Sequence, residues 1–380
     1  MKLLFWLGVI GLALLEVGLV YFIMPLPGSQ RMRSIELAYA LYTWRWIARA
    51  ALVGMIALGL RSAWGGRGVA RWLTPIALVL VAALAFMTNV KMAADQIFRQ
   101  PERLVMAPVS ASTVALDRLV VGIDIDGQAR AYPLQYIGYH HQVRDTIAGT
   151  PVLVSYCTVC RTGRVFKPMV NGAPEMFRLV GMDHFNAMFE DRTTRSWWRQ
   201  ANGQAIIGPL KGVAMPELPS VQVSLQQWVK LHPATLVMQG DPTFASEYAK
   251  DYAYERGTKR GGLTGTDTIP WSEKAWVVGI ALGGEAKAYD WRRLRRERVI
   301  NDVVGGTPIV LVMGPDSVSF FAFQRPDSTD RISVDGDSLV AARGRFAFTG
   351  RGSGGVLTPV TASQEFWHSW RTFQPATTRY

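Results

Sequence analysis

The chain has 380 residues, 49% of them hydrophobic, with 41 Lys/Arg against 29 Asp/Glu and a formal charge of +12. That length accommodates two domains of ordinary size, and the basic excess is concentrated at one end: the first 103 residues hold eleven Lys/Arg against four Asp/Glu. The remainder has no basic stripe laced with aromatics, which excludes a nucleic-acid partner, whereas basic residues beside apolar runs suit anionic lipid headgroups.

Three apolar runs fill the first ninety residues. Leu3–Met24 is long enough to cross a bilayer and is interrupted only by Glu16, which such a setting requires to be protonated or paired within a bundle. Its basic start is thin (Lys2), its apolar core is too long for a signal peptide and no small-residue cleavage site follows before Pro25 and Pro27, so it reads as an uncleaved anchor. Glu36–Leu60 carries Arg45 and Arg49 among Trp44, Trp46 and Ile47, the pattern of a tilted helix with interfacial aromatics and snorkelling arginines. Trp72–Val90 is nearly all Leu, Val, Ala and Ile. Arg61, Arg67 and Arg71 place the second loop in the cytoplasm and the C-terminal part outside; Arg31, Arg33, Lys91, Arg99 and Arg103 pull the other way. The expected class is therefore a set of N-terminal transmembrane α-helices (residues 1–91), a juxtamembrane connector (92–115) and a β-rich α+β soluble domain made of two duplicated units.

The first unit, 116–245, opens on VVGIDI and QARAY flanking Asp126-Gly127, a dipeptide suited to the two positive φ angles of a type I′ hairpin. The strands TPVLVSY, GRVFKPMV and MFRLVG follow, with Asn171-Gly172 as a second hairpin turn. A helix over Leu225–Leu231 ends before His232-Pro233. Residues 246–274 are rich in Gly, Tyr, Lys and Arg and read as a linker or flap. Within the second unit, 275–380, VVGIAL and EAKAY flank Gly283-Gly284, and Val277, Gly279, Tyr289, Asp302 and Gly306-Thr307-Pro308 repeat Val120, Gly122, Tyr132, Asp145 and Gly149-Thr150-Pro151. All share one offset of 157 positions, the mark of an internal duplication. A helix is expected over Ser363–Phe373, closing on Gln374-Pro375 as the first unit closes on His232-Pro233. Gly350, Gly352 and Gly355 have dinucleotide-site spacing, but no helix follows, so that reading is rejected.

Cys157 and Cys160 are the only cysteines. They follow a strand and precede a turn and another strand, not the helix of a thioredoxin-like site. Such a pair exchanges disulfides, binds a soft metal or forms a passive disulfide. Cys157 and Cys160 are the candidate catalytic residues and, with His140, the candidate ligands for copper or zinc. In an extended segment His140 and His141 would face opposite ways. His141, His184, Asn186, Met188, Asp191, Trp198 and Gln200 form a second, candidate pocket set. At the offset of the repeat, Gly314 and Ser317 replace the cysteines, and Glu297 and Arg298 replace the histidines. The scaffold signals persist without the reactive groups.

These residues resemble a bacterial family catalogued as a domain of unknown function, DUF3179. The similarity rests on GQARAY, YHHQVRD, AGTPV, YCTVC, DRTTRSWW and WVKLHPAT, in order and spacing, and covers most of residues 118–380. It carries onto His140, Asp145, Cys157, Cys160, Asp191, Trp198 and Gln200. Arg144 stands where Asn is usual, His141 where an acidic residue is usual, and Arg161 where Gly is common. Often-exported members imply an extracytoplasmic domain on a bacterial cytoplasmic membrane. The expectation is a membrane-anchored Cys-x-x-Cys/His site for copper or zinc binding or thiol redox chemistry, served by a membrane redox or metal-transfer partner protein. The alternative is a non-catalytic ligand-binding or assembly module with a structural disulfide.

Overall fold

The three apolar runs fold as helices: α1, Lys2–Tyr21; α2, Ile35–Trp64; and α3, Ala70–Phe86, prolonged by a π-helical turn over Met87–Lys91. Each is long and apolar enough to cross a membrane, since about 20 helical residues span a hydrocarbon core. The structure is a computed structural model that describes residues 1–65 and 68–380. Arg67, one of the charges used to orient the second loop, lies outside the described residues. Two compact units are present: Met1–Arg99 with Met176–Arg199 and Gln204–Val213, and Gln100–Glu175 with Gln200–Gly203 and Ala214–Tyr380.

In the helical unit Glu16 is paired, as its setting requires. Arg49 on α2 grips it through two bonds of 2.6 and 2.8 Å. Asn89 and Thr88, beyond α3, add donors at 2.7 and 3.3 Å. A bidentate guanidinium with further donors is the arrangement that makes a buried carboxylate tolerable. The same unit contains a four-stranded antiparallel sheet, Phe177–Asp183, Asn186–Asp191, Trp197–Arg199 and Ala205–Ile207. Its Val180, Met188 and Trp197 bury their apolar faces with Ala38 of α2. Edge-to-face contact of Tyr39 with Trp197, at 5.1 Å, extends that core.

The second unit is built from hairpins whose turns were legible. Asp126 and Gly127 have φ of 50° and 79°, and Gly283 and Gly284 have 60° and 80°. One sheet orders Met106–Pro108, Leu236–Met238, Gln128–Pro133, Leu119–Ile125 and Val221–Ser224. Another orders Ala362–Phe366, Trp276–Leu282, Glu285–Asp290 and Thr378–Arg379. In each, a hairpin is flanked by one antiparallel and one parallel strand. Three-stranded meanders follow both hairpins: Gln142–Ile147, Thr150–Cys157 and Thr162–Phe166, then Val299–Val304, Thr307–Met313 and Phe320–Gln324. A five-stranded sheet over residues 333–356 is added in the later half; its last strands, Arg351–Gly352 and Gly355–Val356, hold Gly352 and Gly355, two of the three glycines that mimic a nucleotide loop.

Local detail repeats as well. The Trp228 indole donates to Thr235, and the Trp370 indole to Thr377, both at 2.8 Å. Tyr132 donates to Asp145 and Tyr289 to Asp302. Gly122 and Gly279 are needed because a Cβ there would come within 2.5 Å of the Trp228 ring and 2.2 Å of the Trp370 ring. Two sequence expectations need correction. The helix expected over Ser363–Phe373 starts only at Trp367, because Ser363–Phe366 pair with Trp276–Gly279 as a strand. His140 and His141 are not in an extended segment: Leu134–His140 is a helix and His141 closes it at φ 60°.

Candidate functional site

Strand Thr150–Cys157 delivers Cys157 into a tight turn, and Cys160 closes that turn before Thr162–Phe166 begins. The two cysteines lie 3.3 Å apart, and both are fully buried. The backbone between them is fixed from several sides. The Thr158 carbonyl accepts from the Tyr254 hydroxyl at 3.0 Å, the Val159 carbonyl from Lys274 Nζ at 2.9 Å, and the Cys160 carbonyl from the Phe366 amide at 2.8 Å. Gln200 braces the exit strand, its amide donating to the Thr162 carbonyl at 2.9 Å and to Ser155 Oγ at 3.2 Å.

Arg161 occupies the position after the knuckle at φ 60°, a backbone state that favours glycine. Its side chain is fully buried. Nε donates to Gln364 at 2.9 Å, and the two terminal nitrogens donate to the Tyr254 and Glu255 carbonyls at 2.9 and 3.1 Å. The guanidinium lies 3.5 Å from the Trp276 ring centroid. These contacts tie residues 254–255 and the later half to the cysteine turn.

Lys274 gives the turn its charge. Burial pulls its ammonium below the usual lysine range, while negative charge on Cys160, and then on Cys157, pulls it back up. Nζ also donates to the Leu263 carbonyl at 2.7 Å and lies 3.2 Å from His368 Nε2. Nε2 also lies 3.1 Å from the Val159 carbonyl, which only accepts, so a neutral His368 donates from Nε2 to Val159 and the ammonium lies beside it. Burial, then the Lys274 charge, hold His368 down to about 3.

The candidate histidines lie just before Gln142–Ile147, the strand that pairs with Thr150–Cys157. His141 is buried, donates from Nδ1 to the Tyr139 carbonyl at 3.0 Å, and is lowered by burial to about 4. Its carbonyl accepts from the amide of Tyr156, the residue before Cys157. His140 meets the Tyr248 hydroxyl through Nε2 at 2.8 Å. Tyr248 also accepts from the Asp241 amide at 3.0 Å, which leaves its hydroxyl proton available for this contact. Among the described residues, no group of three or more His, Cys, Asp and Glu is arranged to hold a metal ion.

His184, Asn186, Met188, Asp191 and Trp198 belong to the helical unit, not to the unit of the cysteines. Asp191 accepts from the Trp198 indole at 2.9 Å and from Thr194 Oγ1 at 2.7 Å, which folds its own turn. Met188 is core, and His184 pairs with Asp183 at 2.6 Å. A separate cavity of about 730 Å³ in the cysteine-bearing unit is walled by Trp228, Phe321, Phe323 and Phe348. His232 lies on its edge, stacked 4.1 Å from Trp228 and paired with Asp124 at 3.3 Å. Lys274, His368, Tyr254 and Arg161 were not singled out as site residues from the sequence. Strand pairing brings them to the turn from far along the chain, and no local motif marks them.

Residues 102–377 match the family described as a protein of unknown function, DUF3179. The chain belongs to that family. No curated protein and no solved structure matches it. DUF3179 membership covers both halves of the cysteine-bearing unit and names no reaction, so the chemistry has to be argued from the side chains.

One consequence of the buried histidines is measurable. His141 and His368 stay neutral in the folded chain down to about 4 and about 3, against 6.5 for a solvated imidazole. Between those values the unfolded chain binds protons that the folded chain refuses, so their contribution is complete above pH 6.5 and is lost as pH falls. Each costs ~1.4 kcal/mol per pH unit, or together about 4 kcal/mol at pH 5. Urea unfolding of the detergent-solubilised chain at pH 7.5 and pH 5 measures this; equal stabilities would contradict it.

Proposed function

We propose that this DUF3179 chain is a membrane-anchored, extracytoplasmic thiol oxidant whose Cys157/Cys160 pair cycles between disulfide and dithiol. The observation that carries this reading is Lys274 Nζ, held at 2.9 Å on the Val159 carbonyl inside the turn between the two cysteines. A buried cation stabilises thiolates and hence the reduced form, which makes the disulfide a stronger electron acceptor. The same cation repels copper or zinc, and two thiolates alone fall short of the three or four protein ligands of a zinc centre.

In the step proposed, a thiolate of a partner dithiol attacks Cys157 Sγ. The Cys157–Cys160 bond breaks and Cys160 leaves as a thiolate beside Lys274. The second partner thiol, losing its proton to solvent, attacks the partner sulfur of the mixed disulfide, and Cys157 leaves and takes up a proton. Two electrons move to the cysteine pair, and the partner gains a disulfide. Because both sulfurs are buried, exchange requires residues 246–274 to move off the turn.

The anchor reading rests on the three apolar helices, and the extracytoplasmic side on the redox chemistry, which an oxidising compartment sustains. We also infer that the two halves arose by duplication, supported by the constant sequence offset, the matching pairing of the two hairpins and the repeated Trp–Thr and Tyr–Asp bonds. In the later half Gly314 and Ser317 stand at the cysteine positions, so the scaffold forms without the thiols. A second reading, a non-catalytic module with a structural disulfide, is favoured by the 730 Å³ cavity beside His232.

The deciding experiment uses the full chain in detergent. Thiols are counted across a series of glutathione redox buffers, and metal is measured in the same samples. A single two-electron transition, lost in the Cys157→Ser/Cys160→Ser variant, is expected. One equivalent of copper or zinc that disappears in that variant would replace the redox reading with a metal site. A disulfide that resists every buffer would make the cysteines structural.

A further inference from the structure

The polar cluster around Glu16 lies at one end of the helical bundle. Gly8 faces Ile56 and Gly18 faces Leu41, so α1 and α2 run antiparallel. Asn89 meets Glu16 near the end of α1 and Arg49 within the first half of α2, and Thr74 meets Ala63 toward the opposite end. α2 has 30 residues, about ten more than a hydrocarbon core needs. Its first turns therefore extend past the apolar layer, which puts Tyr42, Arg45 and Trp46 at headgroup level, at the end where α3 hands over to the rest of the chain.

A cavity of about 490 Å³ opens at this level, lined by Tyr42, Arg45, Trp46, Arg49, Asn89 and Arg178. Two of its three guanidinium groups are neutralised: Arg49 by Glu16, and Arg178 by Glu190 and Asp95. Arg45 meets no carboxylate among the described residues. It donates to the Tyr42 carbonyl and lies 3.7 Å over the Tyr42 ring. A guanidinium has five donors, and one held at the edge of a hydrocarbon layer without a counter-ion is costly. Leu19, Val20 and Met24 give the same cavity an apolar wall, where an acyl chain would continue.

We propose that this cavity binds the phosphate headgroup of an anionic phospholipid, with Arg45 as its counter-charge. The inference rests on the membrane-anchor part of the reading above and is independent of the cysteine chemistry. Phosphate chemistry is shared by lipid and free phosphate, so the test separates them. The full chain, delipidated in detergent, is titrated with phosphatidylglycerol, phosphatidylcholine and inorganic phosphate and followed by native mass spectrometry. Phosphatidylglycerol should be retained at about tenfold lower concentration than phosphatidylcholine, with no occupancy by inorganic phosphate. Arg45→Gln should abolish the preference and Arg45→Lys should keep most of it. A preference unchanged in Arg45→Gln, or phosphate bound as well as lipid, would overturn the proposal. Recovery of the chain from cells in the soluble fraction without detergent would sink the membrane reading itself.

Discussion

Replacing Lys274 by methionine is expected to lower the reduction potential of the Cys157/Cys160 pair by about 30–60 mV, which corresponds to about 1.4–2.8 kcal/mol for two electrons. The sign follows from which redox state carries charge. Thiolates are present only when the pair is reduced, and on the reading proposed above an ammonium held on the Val159 carbonyl between Cys157 and Cys160 would stabilise that state. Methionine keeps the apolar stem and removes the charge, so the dithiol loses its counter-ion and the disulfide is favoured. The magnitude is that of a partly screened pair in a protein interior, well below the dry-interior limit. Lys274→Arg preserves the charge and should hold most of the potential, which separates an electrostatic role from the packing of Nζ on Val159 and Leu263. The potential is read from the dithiol fraction across glutathione buffers at pH 7. Identical potentials in the wild-type chain and in Lys274→Met would remove the basis for calling the pair an oxidant.

What the sequence revealed of this site followed from local chemistry. Asp126-Gly127, Asn171-Gly172 and Gly283-Gly284 announce hairpins because a two-residue turn needs positive φ at both positions, and the backbone adopts it at all three. The pairing of Glu16 was foreseeable because an unpaired carboxylate among apolar helices is too costly. The helix Leu134–His140 was not: two turns give too short a run for an apolar period to stand out, and the segment read as a plain connection. Strand Ala362–Phe366 was missed because the sequence runs on into helix Trp367–Phe373 without a break, and only its pairing with Trp276–Ile280 decides its form. The charged surroundings of the cysteines were invisible for the same reason. Lys274 and His368 reach Val159 across 115 and 209 residues. Asp191 and Trp198, candidate pocket residues from the sequence, bond to each other at one turn, where Asp191 also accepts from Thr194. The cysteine turn and Gln200 came together through the strands on either side of the turn.

Arg161→Ala should destabilise the chain by roughly 3–5 kcal/mol and expose the thiols, the largest effect expected of any single substitution at the site. Three hydrogen bonds are lost at once. Gln364 keeps its bond from Gln222 at 2.8 Å, but the carbonyls of Tyr254 and Glu255 lose a guanidinium donor at a buried position. The stacking on Trp276 is lost as well. Alanine also inherits φ 60°, so Arg161→Gly should recover about 1 kcal/mol of the loss without restoring the bonds. The local consequence matters more for function. Arg161 holds the backbone of residues 254–255 of the covering segment to the cysteine turn, alongside the Tyr254 hydroxyl on Thr158, so its removal should raise the rate at which maleimide labels Cys157 and Cys160 under native conditions, beyond what global unfolding accounts for. Urea unfolding gives the first quantity and labelling kinetics the second. A chain that loses stability but keeps its thiols protected until it unfolds would show that the segment opens by another route. A chain that loses neither would show that the buried guanidinium is not what closes the site.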